Sequence, residues 1–218
     1  MLALRLAAER TTLKVLCIGA HSDDIEIGCA GTLRALRERG HPLEVCWVVL
    51  SAPSGDRERE ARSSAQEWVT PDIGMLDLRL SNYRDAHFPS EFDGLKAYFG
   101  ALHTSFAPDV VLTHSLDDRH QDHRLVSELT WQTWRNHVVL EYEIPKFEGD
   151  LIRPNLYVPL TREICEAKAR HLMRHFGSQR SKDWFDPETF HGLMRVRGVE
   201  CRALEGFAEA FVARKLIL

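Results

Sequence analysis

Two short runs of this chain concentrate the residue types that hold metals and move protons. The first, Ala20-His21-Ser22-Asp23-Asp24, sets one imidazole and two carboxylates within four residues. A borderline cation such as zinc takes nitrogen and oxygen ligands of these kinds. His21 and Asp24 are three apart, so a tight turn can aim both at one ion, with Asp23 pointing elsewhere and free for proton transfer. Two other readings fit the same residues. One is a polar loop whose aspartate caps the next helix. The other is a phosphate-cradling turn, because Gly28 and Gly31 precede a helical stretch; it lacks a full GxGxxG or Walker pattern.

The second run, His114 to Arg124, holds three histidines and three aspartates in eleven residues. His120 and His123 are three apart where a helix begins, so one can bind a metal while the other faces a substrate. Asp122 can orient a histidine from behind or cap that helix. Each run taken alone is also a solvated, charged loop. Taken together they supply His, Asp and His, and leave the fourth position that catalytic zinc keeps for water.

The surrounding pattern says what must position them. Leu13 to Gly19, Leu43 to Leu50, Met75 to Leu80 and Val110 to Thr113 are short apolar runs that read as buried strands. Between them, Gly31 to Glu38, Arg57 to Trp68 and Leu95 to Phe106 read as helices, and Leu125 to Trp134 follows as a fourth. Strand-helix alternation with short links predicts right-handed βαβ units. The expected fold is therefore α/β, a Rossmann-like, mostly parallel sheet flanked by helices on both faces. The second half is less regular: strands at Val138 to Ile144 and Leu156 to Leu160, a helix at Glu163 to Phe176, and a last strand at Phe207 to Leu218. No composition break appears, so residues 1–218 read as one domain. In such sheets ligands bind beyond the carboxyl ends of the strands, which is where both polar runs lie.

Composition narrows the class. A net charge of −4 gives no electrostatic footprint for nucleic acid. The five cysteines form no CxxC pair, and Cys17 and Cys46 sit in apolar runs, which points to a reducing compartment. No apolar run approaches the ~20 residues of a membrane span, and MLALRLAAER is too short and too charged for a secretory leader. The expected location is cytoplasmic.

The two runs resemble the motifs of the LmbE-like, or PIG-L, family of zinc-dependent N-deacetylases. That family's AHPDD stands here as Ala20-His21-Ser22-Asp23-Asp24, followed by Gly28-Cys29-Ala30-Gly31-Thr32, and its HPDH as His120-Gln121-Asp122-His123 followed by Arg124. Weaker likeness, at Arg57-x-x-Glu60-Ala61 and Ala208-Glu209-Ala210-Phe211, extends it over nearly the whole chain. The resemblance implies that His21, Asp24 and His123 bind zinc, that Asp23 is the general base, and that His120 stabilises the oxyanion or protonates the leaving amine. It places Arg57 and Asp85 against a sugar. It implies a small N-acetylated sugar or sugar conjugate as partner, and makes homo-oligomer formation an expectation. Ser22 and Gln121 replace two prolines that rigidify rather than react. Ile25 stands where many members carry Glu, with Glu26 one step later, which touches the surroundings of the site.

Other residues divide between packing and chemistry. Trp131 and Trp134 read as core or interface. Glu141-Tyr142-Glu143 alternates along a strand, with Tyr142 inward and the glutamates toward water or the site. His171 and His175 are four apart, a metal-compatible spacing, but without an HExxH context they read as a solvated helix face. Glu209 either reaches the site or pairs a charge. The competing functions are a zinc amidase for a non-sugar amide or thiol conjugate, and a non-catalytic sugar- or nucleotide-binding module.

Overall fold

Leu13–His21 (β1) is apolar and buried without a break from Val15 to Ala20 because both faces of that stretch are covered. Leu13, Val15 and Cys17 pack into one hydrophobic cluster, and Leu16, Ile18 and Ala20 into another on the opposite side. A parallel strand covered on both sides has no polar face to show. The computed structural model describes residues 6–8 and 11–217. Residues 1–5 and 9–10 of the segment read as no secretory leader lie outside the described residues, as does Leu218.

Around β1 the sheet has seven strands. Leu43–Ser51 (β2) and Gly74–Leu80 (β3) lie on one side, and Val110–His114 (β4) and Val138–Tyr142 (β5) on the other. All five are parallel. Phe207–Ala213 (β7) then pairs antiparallel with β5, and Leu156–Leu160 (β6) antiparallel with β7, giving the order β3-β2-β1-β4-β5-β7-β6. The expected mostly parallel sheet is present; of the less regular second half, β5 joins the parallel part, and β7 and β6 form an antiparallel margin.

Helices cover both faces. Asp24–Gly28 (α1), Ala30–Glu38 (α2), Asp56–Trp68 (α3), Arg162–His175 (α6) and Pro187–Glu200 (α7) pack on one cluster. Phe92–Ser105 (α4) and Gln121–Thr133 (α5) pack on the other, where Trp134 is buried and Trp131 partly so. Among the described residues no helix is long and apolar enough to cross a membrane. All five cysteines are free thiols.

Several boundaries differ from expectation. α5 starts at Gln121 rather than Leu125, because His120 caps it by accepting the Asp122 N–H at 3.3 Å, before the apolar spacing begins. α7 carries no strong apolar stripe and is missing from the sequence reading. Its start is nevertheless written in Asp186-Pro187-Glu188, where the Asp186 carboxylate accepts the Glu188 N–H at 2.7 Å and Pro187 occupies the first turn. β5 stops at Tyr142 and β7 at Ala213, short of the expected ends at Ile144 and Leu218.

The phosphate reading of Gly28 and Gly31 is overturned by what fills that space. The carboxylate of Glu209 on β7 accepts the Gly31 N–H at 2.9 Å and the Thr32 N–H at 2.6 Å. It therefore occupies the N-terminus of α2 from within the chain. Lys168 neutralises it at 2.5 Å. A Cβ on Gly31 would stand 2.8 Å from Glu209 Oε1, and one on Gly28 only 2.2 Å from the Tyr142 ring. Glu209 thus belongs to the framework. Removing one partner of a buried pair leaves the other charge uncompensated, so Glu209→Ala should cost about 3–5 kcal/mol. Urea unfolding checks this, and a loss under 1 kcal/mol would show that the pair is not structural.

Candidate active site

β1 lies between β2 and β4, whose connections run in opposite directions, so a crevice opens beyond the carboxyl ends of β1 and β4. His21 and His114 are the last residues of those two strands. α1 starts immediately after His21 and brings Asp24 back over the strand end, where its carboxylate accepts the His21 N–H at 2.7 Å. α5 contributes His123 from its first turn.

Three donors converge there. His21 Nδ1 and His123 Nε2 are 3.1 Å apart. The Asp24 carboxylate lies 3.4 Å from His21 Nδ1 and 3.5 Å from His123 Nε2. Ligands about 2.0–2.1 Å from a tetrahedral ion stand ~3.3 Å from one another, which is the spacing found. The far side of each ring is committed. His21 Nε2 faces Asp85 Oδ1 at 3.0 Å and Asp122 Oδ2 at 3.3 Å, and carboxylates only accept, so the proton is on Nε2. His123 Nδ1 donates to Asp118 Oδ2 at 2.9 Å. In the neutral rings both inward nitrogens therefore carry lone pairs, and they face each other. Such a pair needs a positive charge between or beside it. Two imidazoles oriented by carboxylates, plus a third carboxylate, fit a divalent metal ion.

The electrostatics express the same demand. Burial opposes charge on His21, but hydrogen bonds to Asp122, Asp24 and Asp85 outweigh it and hold its pKa well above the ordinary imidazole value. Burial, reinforced by His114, pushes His123 down to about 3. Burial alone would raise Asp24, yet His123 and His114 hold it well below the usual carboxylate range. Without an ion, a proton on His21 supplies the charge that a metal would replace.

The sequence-predicted residues gather closely. Asp23 is buried and paired with Arg57 Nη2 at 3.1 Å. The Arg57 Nη1 side reaches Ser178 Oγ at 3.1 Å. Asp85 sits at the rim, its side chain 70% exposed, and its hydrogen bond to His21 lowers its pKa to about 2. Asp122 does not cap α5. It accepts the Ala86 and Phe88 N–H groups at 2.7 and 3.1 Å, tying the 85–88 turn to His21. Ala86 has a φ of 60°, an uncommon conformation for a non-glycine residue, and Gln121 Nε2 holds its carbonyl at 2.6 Å. Ser22, at the other proline position, donates to the Arg57 carbonyl at 3.2 Å. Ile25 and Glu26 are both buried, with Glu26 accepting from Ser64.

Two residues, Asp118 and His114, are absent from the sequence-based site. Asp118 orients His123 and is itself held by Lys146 at 3.1 Å. Its aspartate type in a histidine-rich run was the available signal. His114 stacks on His123 at a ring separation of 3.9 Å and lies 3.1 Å from Asp24. Its Nε2 accepts the Ala20 N–H at 3.0 Å, so it serves as the floor of the site rather than as a free donor. The glutamates beside Tyr142 do not face water or the site. Tyr142 is buried with its hydroxyl on the Ile18 carbonyl at 2.7 Å; Glu141 pairs with Arg214, and Glu143 with Arg197 at 2.7 Å. Because Asp118 fixes the His123 tautomer, Asp118→Asn should weaken divalent-metal affinity roughly 10–100-fold. Titration against a competing chelator measures it, and unchanged affinity would remove Asp118 from this role.

Comparison with known proteins places the chain. A profile of PIG-L, described as GlcNAc-PI de-N-acetylase, matches residues 16–134, which contain both polar runs. A relative in Escherichia coli K12, the uncharacterized deacetylase YaiS, is 28% identical over 172 residues, covering 74% of this chain and 89% of YaiS. The N,N'-diacetylchitobiose deacetylase of Pyrococcus horikoshii superposes with a TM-score of 0.65 at 20% identity, over 91% of this chain and 82% of that one. GalB, the 4-carboxy-2-hydroxymuconate hydratase of Pseudomonas putida KT2440, superposes at 0.71 with 17% identity, over 95% of this chain and 98% of GalB. The fold is thus shared by proteins of different activity, while the matched profile spans more than half of this sequence. The chain belongs to the PIG-L, or LmbE-like, family.

Proposed function

We propose that residues 1–218 work as one domain, a zinc-dependent hydrolase that removes an N-acetyl group from an N-acetylglucosamine-type sugar or sugar conjugate. The observation that carries this reading is the pair of inward-facing nitrogens on His21 and His123, 3.1 Å apart beside Asp24. The family's description and the chitobiose deacetylase support the sugar. His21, Asp24 and His123 would hold the zinc. When bound, zinc supplies a Lewis acid that polarises an amide carbonyl and makes water acidic enough to ionise near neutral pH.

The remaining chemistry falls to this chain's own groups. Asp23 takes the proton of the attacking water, and Arg57 Nη2, 3.1 Å away, aims its carboxylate. His120 accepts the Asp122 N–H at Nδ1, so a neutral ring carries its proton on Nε2. Burial, together with the charge of His21, lowers its pKa, which favours that neutral form. A neutral Nε2–H suits it to donate to the developing oxyanion, a contribution of about 3 kcal/mol for a well-placed donor. The protonated Asp23 then returns its proton to the departing amine. Arg57 and Asp85 line the rim with opposite charges, suited to sugar hydroxyls.

In Asp23→Asn, zinc should remain bound while turnover falls about 10²–10⁴-fold. Turnover near wild type in that variant would remove Asp23 as base. His123→Ala should lose the zinc that metal analysis finds in the wild type. The substrate is tested with zinc-loaded protein by acetate release from free, glycosidic, nucleotide-linked and lipid-linked N-acetylglucosamine and from non-sugar N-acetyl amides, and by hydration of 4-carboxy-2-hydroxymuconate. Acetate from at least one sugar is expected. Hydrolysis of only non-sugar amides would make the protein a different amidase. Hydration of the muconate alone would align it with GalB, whose shared fold is the observation favouring that second reading. Binding without turnover would leave a sugar-binding module.

A further inference from the structure

His171 and His175 do not form the solvated helix face that their sequence context implies. Both are turned against α3: His171 is 7% exposed, and the His175 side chain 8%. Ser63 on α3 donates its hydroxyl proton to the Glu60 carbonyl at 3.2 Å, since a carbonyl only accepts. Ser63 Oγ also lies 3.1 Å from His175 Nδ1, so it receives that nitrogen's proton. The tautomer follows: a neutral His175 carries its lone pair on Nε2. This atom is buried, has no hydrogen-bond partner among the described residues, and stands 3.2 Å from Glu67 Oε2. Two acceptors face each other with nothing positive between them.

The neighbours complete a donor set. Glu67 Oε1 is held by Arg174 at 2.8 Å, which leaves Oε2 toward His175. His171 lies one helical turn away, its ring 4.3 Å from that of His175. One donor atom from each of Glu67, His171 and His175 falls within 4.8 Å of the others. We propose that Glu67, His171 and His175 form a second divalent-cation site, separate from the candidate active site, that clamps α3 to α6. Two imidazoles and one carboxylate suit zinc or a similar borderline ion. Arg174 holds Glu67 from the opposite side, so its positive charge lies beside the site.

The clamp bears on the active-site wall. α3 also carries Arg57, which holds Asp23, and Glu60, which accepts the Ser178 N–H at 2.8 Å just beyond α6. Zinc occupancy would therefore fix the helix that aims Arg57.

Equilibrium dialysis against buffered micromolar zinc, with metal counted per folded chain, tests the site. The wild type should bind two ions, and His175→Gln and Glu67→Gln one each. Glu67 is half-exposed at the surface, so its variant leaves the core packing intact. The wild type alone should also show a second, zinc-dependent rise in melting temperature. One ion in the wild type that both variants retain, or two in both variants, would overturn the proposal. A count of one in His175→Gln but two in His123→Ala would keep this site and sink the ligand assignment at the active site.

Discussion

Two imidazole nitrogens point at each other across the end of β1, and among the described residues only a proton held by His21 relieves them. Each ring is pinned from behind by carboxylates, Asp122 and Asp85 on one side and Asp118 on the other. The rest of the site is organised to keep that confrontation in place. Lys146 neutralises Asp118, Arg57 neutralises Asp23, and His114 lies flat beneath His123. Charges this deeply buried persist only when each has a partner or a cation to answer it.

The scaffold supplies the geometry through register. β1 and β4 pair in parallel, so their carboxyl ends emerge side by side and deliver His21 and His114 to one crevice. α1 and α5 then begin within a few residues of the strand ends and return Asp24 and His123 over them. The antiparallel margin is bound to this centre by buried charge pairs. Glu209 of β7 seals the start of α2, and Arg197 of α7 closes on Glu143 just beyond β5. The C-terminal part thus buttresses the first motif without entering the crevice.

Much of this was legible in the residue order. Apolar runs marked the five strands that prove parallel, including the half-exposed edge strand β3, and the strand-end positions of the two polar runs located the crevice. Three kinds of information were not. A residue such as Asp118 acts through another side chain, and nothing local in its run distinguishes it from Asp117, which is exposed and reaches only toward Arg214 at 3.4 Å. Glu141 and Glu143 look like solvent or site residues, and Glu209 like a site residue or a charge partner, until their distant partners are known. α7 has a readable start but no apolar stripe, so periodicity passes over it. The spacing of His171 and His175 was equally ambiguous, because only the packing of α3 turns that face inward.

A shared fold does not choose the reaction, as GalB and the chitobiose deacetylase illustrate. The choice rests on the atoms at the end of β1. A crystal of zinc-loaded protein measured at the zinc absorption edge tests them most directly. The account predicts an anomalous peak about 2.0–2.2 Å from His21 Nδ1, His123 Nε2 and an Asp24 carboxylate oxygen. A stoichiometric zinc bound by other atoms, with the His21 and His123 rings still facing one another around no ion, would contradict it.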